Sequence, residues 1–145
     1  MGLEIRQRDN EGICILALHG GLVIGPTEAK LREFIGKLAA AGTFKVILNF
    51  AAVGDLDEDG LGALVLCSAK LRKSRGDLKL LNVERVHMEL MVLARLDAAF
   101  DFFDNEQDAV NSFFPDRAKL HFDILEFVRE HTNPAAQPST PPEKN

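Results

Sequence analysis

Apolar and polar residues alternate from the start of the chain. Over 3–8, Leu3 and Ile5 stand against Glu4 and Arg6, the period of a half-buried strand. Asp9-Asn10-Glu11-Gly12 is turn chemistry. The apolar run 13–19 reads as a second strand, so the chain opens with a hairpin. Gly20-Gly21 and Gly25 bracket a short loop, and Pro26 suits the first position of a helix, where its missing N–H is not needed. That helix is predicted over 26–41, with Leu31, Phe34, Ile35, Leu38 and Ala39 on one face and Lys30, Arg32, Glu33 and Lys37 on the other. Gly42 is placed to end it. A short buried strand follows at 45–50 (Val46, Ile47, Leu48), then a helix over 58–75 stopped by Gly76, and a strand at 79–82. A helix over 86–96 carries Met88, Met91, Val92 and Arg95 at helical spacing; 100–103 reads as a last strand and 105–114 as a short helix opening on acids.

Strands alternating with helices after an opening hairpin predict an α/β fold with a mostly parallel sheet. Pro115 breaks the chain, and 116–131 reads as an extra helix with Leu120, Ile124, Phe127 and Val128 on one side. The final stretch "TNPAAQPSTPPEKN" holds four of the six prolines and no large apolar residue, a composition that predicts disorder. The expected organisation is one domain over 1–114, an extra helix over 115–131 and a disordered tail over 132–145.

Composition narrows the function classes. The 145 residues fit one domain, and 46% hydrophobic content is enough for a core. A net charge of −5 and a pI near 5.3 argue against a nucleic-acid partner, which would need a basic surface. No apolar run is long enough to span a bilayer, and 1–10 is charged without a signal-like apolar core, so the expected location is the cytoplasm. Cys14 and Cys67 lie in apolar runs and read as reduced, buried thiols. His19, His87, His121 and His131 share no ligand spacing and read as surface or edge residues. Gly20, Gly21 and Gly25 lack the Lys and Ser/Thr of a phosphate-binding loop. With no nucleophile–base arrangement, an enzyme is not expected, nor is any cofactor or metal.

The chemistry is concentrated in "GDLDEDGLGALVL", which places Asp55, Asp57, Glu58 and Asp59 immediately before an apolar run. Asp55 to Gly60 fits the first half of a calcium loop, but Ala63 and Leu66 stand where oxygen ligands are required. A helix start fits better. Asp57 can cap the helix, and Glu58 and Asp59 then sit in the first turn, where the dipole favours anions. Leu61, Leu64, Val65, Cys67, Ser68 and Leu71 form the expected buried face, and Lys70, Arg72, Lys73 and Arg75 fall near the favourable C-terminal end. Crowded carboxylates still repel one another, which leaves a role for function at this turn.

These residues resemble a STAS domain, the fold of anti-sigma factor antagonists and of sulfate-transporter tails. The resemblance runs from about Leu3 to Phe114 and rests on Gly20-Gly21-Leu22, "KVILNFAAVGDLDEDGLGALVL", "GDLKLLNV" and "LARLDAAFDFFDNEQDAV". It implies a mixed sheet, an opening hairpin followed by mostly parallel strands, flanked by helices; the extra C-terminal helix lies beyond the resemblance. It implies a non-enzymatic interaction module of partner-switching circuits, bound by a serine-protein kinase that is also an anti-sigma factor. In such relatives a Ser or Thr in an Asp-Ser-Ser-Gly-Leu-Gly turn is phosphorylated. Here the turn is Asp57-Glu58-Asp59-Gly60-Leu61-Gly62, and neither Glu58 nor Asp59 can accept a phosphate. Val23 stands where many members have Asp.

The expected partner surface is Asp57, Glu58, Asp59, Gly60 and Leu61 with the neighbouring 22–27 loop, including Leu22, Val23 and Thr27. Glu58 either imitates the phosphorylated state or marks a constitutive scaffold. Gly60 and Gly62 are expected to admit a partner's backbone. The alternatives are an adaptor subunit of a transport or signalling assembly, or a small-ligand or cation-binding domain using the acidic turn. Seven of the ten Phe fall between Phe100 and Phe127. They are expected to fill the core and tack on the extra helix, whose apolar side would otherwise face a second copy in a homodimer.

Overall fold

A computed structural model of the chain describes residues 2–117 and 120–131. The tail expected over 132–145 lies outside the described residues. Five strands form one sheet in the order β1-β2-β3-β4-β5: Leu3–Asn10, Ile13–Leu22, Lys45–Leu56, Asp77–Leu81 and Phe102–Phe103. The β1–β2 pair is antiparallel and every later pair is parallel. The helices are α1 (Pro26–Ala40), α2 (Glu58–Arg72), α3 (Arg85–Leu93), α4 (Glu106–Asn111) and α5 (Ile124–His131). This is the mixed α/β fold expected, an opening hairpin followed by parallel strands.

The hairpin is tighter than the sequence suggested. Asn10 pairs with Ile13, so the connection is Glu11-Gly12 alone, both with positive φ (55° and 83°). That is the two-residue geometry whose twist matches the flanking strands. β2 is apolar at nearly every position because both its faces are covered. Cys14, Leu16 and Leu18 join the main core with α1, α2, α3 and α5, whereas Ile13 and Ile15 join Ile47, Leu81 and Phe103 beneath Ala109 and Val110 of α4.

Two strands run longer than predicted. Gly20-Gly21 belongs to β2, and β3 continues past Phe50 to Leu56, because Ala52, Val53 and Leu56 pair with His19, Gly20 and Leu22. The last strand is reduced to Phe102–Phe103 and the following helix to Glu106–Asn111, capped by Asn105, whose side chain accepts from the Asp108 N–H at 3.0 Å. α2 ends at Arg72, and Arg75 rather than Gly76 takes the left-handed conformation (φ 64°). Gly76 is needed for another reason: a Cβ there would collide with the Phe44 carbonyl.

The extra helix is half its expected length. Residues 120–123 lie outside helix, and the Phe122 N–H donates to the Phe102 carbonyl at 2.7 Å, closing the sheet edge that a helix would leave bare. Leu120 consequently sits exposed outside α5. The apolar side of α5 meets its own domain: Ile124 and Val128 are buried in the main core beside α3. Phe100, Phe102 and Phe103 fill the core, and Phe122 and Phe127 pack on it as expected. The face a homodimer through α5 would use is therefore covered within one chain.

Burial of Ile124 makes α5 part of the cooperative unit. Ile124→Ala is expected to lower unfolding free energy by about 2–4 kcal/mol, read as a lower urea midpoint with unchanged slope.

Candidate functional site

The acidic turn joins β3 to α2, and its geometry is set by Asp57. Asp57 is the N-cap of α2 in extended conformation, and its Oδ1 accepts the Gly60 N–H at 2.9 Å. Its Oδ2 accepts the Ile24 N–H at 3.0 Å from the loop between β2 and α1. One carboxylate thus ties together two segments that are thirty-three residues apart. These backbone donors hold the Asp57 carboxyl below its usual range, first through Gly60 and then through Ile24. The Asp57 N–H also points at the Leu22 carbonyl, at 3.4 Å. Within the 22–27 loop, the Thr27 hydroxyl donates to the Val23 carbonyl at 2.8 Å and accepts the Val23 N–H at 3.2 Å.

The predicted site residues divide into supports and surface. Leu22, Thr27, Gly60 and Leu61 are buried, Asp57 and Val23 are half-buried, and Glu58 and Asp59 are exposed. The role expected for Gly60 is corrected. A Cβ at Gly60 would overlap the Leu22 carbonyl oxygen and lie 3.1 Å from Leu56 Cδ1, so the close approach is to the chain's own β2 end rather than to a partner. Gly62 is exposed with open space before it and remains available for approach.

The buried face of α2 is rotated from the one predicted. Gly60, Leu61, Ala63, Leu64, Cys67, Ser68 and Leu71 face the core, and Val65 turns outward, 42% exposed. Leu66 (60%) and Ile24 (66%) are exposed as well. Glu58, Gly62, Val65, Leu66 and Ala69 follow helical spacing on the outer face. The exposed acids therefore sit at one end of an outward apolar strip, with Ile24 beside the turn.

A cation site gains no support from this geometry. Both Asp57 oxygens accept backbone N–H groups, and among the described residues no three His, Cys, Asp or Glu are grouped to hold a metal ion. The cysteines are buried, and burial pushes the Cys14 thiol to about 11 and the Cys67 thiol to about 12, away from reactive thiolate chemistry.

Three features escaped the sequence reading. Ile24 gives its N–H to Asp57, a long-range contact with no local signal. His87, expected at the surface, is buried because α3 turns His87, Met88 and Met91 inward, and its Nε2–H donates to the Gly54 carbonyl at 3.0 Å. Lys79, at the start of the predicted strand 79–82, is buried with its ammonium 2.8 Å from Asp101 Oδ2 and over the Phe113 ring.

The STAS domain profile matches residues 4–109, well over half of the 145 residues. The chain belongs to the STAS family. Among solved structures, this STAS domain superposes on an anti-sigma factor antagonist from Mycobacterium paratuberculosis with TM-score 0.68 and 22% identity, covering 77% of this chain and 93% of that one. It matches the anti-sigma factor antagonist SpoIIAA in its unphosphorylated form with TM-score 0.59 and 16% identity, over 79% of this chain and 99% of the other. The phosphorylated form of SpoIIAA, a Bacillus cell fate determinant, gives TM-score 0.60 and 18% identity over 76% and 99%. Identities this low establish the shared fold. No curated protein matches the sequence significantly. The protein is a STAS domain resembling anti-sigma factor antagonists, and among its described residues no helix is long and apolar enough to cross a membrane.

Two measurements check the turn. Gly60→Ala is expected to destabilise the fold by about 1–3 kcal/mol through overpacking against backbone, read by urea unfolding. The Asp57 carboxyl is lowered on folding, so its contribution is present above the unfolded value of about 3.9 and is lost as pH falls through the folded value. Stability curves taken from neutral pH downward should therefore fall more steeply for the wild type than for Asp57→Asn, converging in acid.

Proposed function

We propose that this STAS domain is a non-enzymatic protein-binding module whose partner docks on the turn carrying Glu58 and Asp59. The observation that carries the reading is the division of labour at this turn. Buried Leu22, Thr27, Gly60 and Leu61 with the bridging Asp57 support it from within, while both acids project to solvent beside exposed Ile24, Val65 and Leu66. A rigid patch combining fixed charge with apolar area suits a protein interface, where apolar contacts give area and charge gives register.

The fold resemblance makes a serine-protein kinase/anti-sigma factor the first partner class to test. Glu58 and Asp59 occupy the positions where the family motif carries hydroxyls. The module then has one permanent charge state, and its output is set by partner supply rather than by phosphorylation at this turn. The outward apolar strip on α2 favours constitutive binding, since apolar contact area is insensitive to a charge mark.

The test is capture of proteins from lysate of the source organism with wild-type, Glu58→Ser and Glu58→Lys baits, followed by titration of the kinase-like protein recovered. Wild type and Glu58→Ser are expected to bind it alike, and Glu58→Lys about tenfold or more weakly. Equal capture by all three removes the turn from the interface. A partner gained by Glu58→Ser alone makes Glu58 a locked phosphate imitation instead.

A further inference from the structure

α1 and α2 pack side by side on the sheet, and the seam between their outer faces is open. Two pockets, of about 230 and 340 Å³, follow this seam and share Gly36 and Lys70. On α1 the wall is Arg32, Gly36 and Ala40, at i, i+4 and i+8. On α2 it is Leu66, Lys70 and Lys73, at i, i+4 and i+7. Small residues keep the floor low: a Cβ on Gly36 would meet only the Lys70 side chain, with Cε 3.9 Å away. The seam ends at a third pocket of about 200 Å³, which shares Phe44 and Ser74 and adds Lys45 and Arg75.

Every charged residue lining these pockets is basic, in a chain of net charge −5. Arg32 is held by Glu28. Lys45, Lys70, Lys73 and Arg75 are exposed, and among the described residues none of the four has a carboxylate at ion-pair distance. Arg72 and Lys79, their neighbours in sequence, both do. The dipole of α2 favours cations in its last turn. It accounts neither for Lys45, which belongs to β3, nor for Leu66, an apolar residue 60% exposed on the same wall.

We infer that this seam binds an acidic amphipathic helix of a partner protein. Each property of the occupant follows from one property of the seam. The walls are helices, whose backbone groups between the ends are bonded internally, so the occupant must satisfy its own backbone as a helix does. Leu66, Ala40 and Phe44 call for an apolar stripe on it. The four unpaired cations call for carboxylates beside that stripe. A flat lipid surface fits a concave seam poorly. The chain's own 132–145 segment is a poor occupant, because Pro134, Pro138, Pro141 and Pro142 interrupt a helix and Glu143 is its one acid. A second copy is no better suited: the apolar faces of its helices are committed to its own core. Leu66 is shared with the patch proposed above, but Glu58 lies about 18 Å from Lys70 along α2. The inference does not depend on the role proposed for Glu58 and Asp59.

The test uses the full chain and an acetylated, amidated peptide of three Leu-Glu-Ala-Leu-Glu-Glu-Ala heptads, followed by amide NMR shifts and titration calorimetry. Shifts are expected to concentrate at 36–45 and 66–75. The double variant Lys70→Gln/Lys73→Gln, whose sites are exposed and whose melting should be unchanged, is expected to weaken binding about tenfold or more, as is Leu66→Ser. A peptide of the same residues in scrambled order keeps the charge and loses the stripe, and is expected to bind about tenfold more weakly or worse. Equal binding by the scrambled peptide overturns the proposal, since charge alone then suffices. So does binding that Lys70→Gln/Lys73→Gln leaves unchanged, or the absence of shifts at millimolar peptide. Lys70-dependent binding to phosphatidylglycerol vesicles in place of the peptide makes the seam a lipid contact and overturns it too. Glu58→Lys is expected to bind the peptide as the wild type does, so this proposal and the one on the acidic turn fail separately.

Discussion

The Asp57 carboxylate, shared between the Gly60 and Ile24 amides, is the interaction on which the upper end of this molecule depends. Charge-assisted bonds of this kind are stronger than neutral ones, and here the two donors belong to different loops. The bridge works only because Gly60 has no side chain, which lets α2 begin against the Leu22 carbonyl. With Asp57 turned inward on backbone donors, the next two acids have no inward place and face solvent. Cap, loop docking and exposed charge are thus one geometric solution, and it assigns different jobs to carboxylates that the sequence sets side by side.

How much of this was legible follows from which interactions are local. The hairpin, the first helix with Pro26 at its start, the Asp57 cap and the parallel order follow from periodicity and cap chemistry, which act over a few residues. The second halves of β2 and β3 were not legible, because Gly20-Gly21 and the acidic end of β3 carry loop composition and are held extended by each other. The length of α5 was misread for a related reason: 120–123 could continue a helix, but the exposed edge at Phe102 offers a better hydrogen bond. Val65 reads as core from hydropathy, and only the fixed rotation of α2 turns it out. At the site, the residues were legible and their jobs were not. Whether Gly60 or Gly62 admits a neighbour depends on where Leu22 ends up.

On the proposed reading, two unmodifiable acids replace a reversible mark. A carboxylate carries one charge and two oxygens, whereas a phosphate brings about −1.5 to −2 and three acceptor oxygens. The turn therefore differs in shape as well as in charge from a phosphorylated relative. Ile24 beside the turn, and Val65 and Leu66 about two turns further along α2, offer contact area that neither chemistry alters.

The strand order carries a consequence for how the chain acquires its parts. Every strand pairs with its immediate neighbour in sequence, so the sheet can grow in order from the opening hairpin. Only the hairpin is local: the parallel pairs, such as Cys14↔Val46, Val46↔Leu78 and Leu80↔Phe102, each close a crossover through a helix or loop, the long-range closure that slows folding. The hydrogen bonds that build the acidic turn all lie between Leu22 and Leu61, whereas the main core also needs α3 and α5. During synthesis from the N-terminus, the charged surface is encoded first, and α5 closes the core last. A nascent chain would thus carry the acidic turn before the core beneath it is complete.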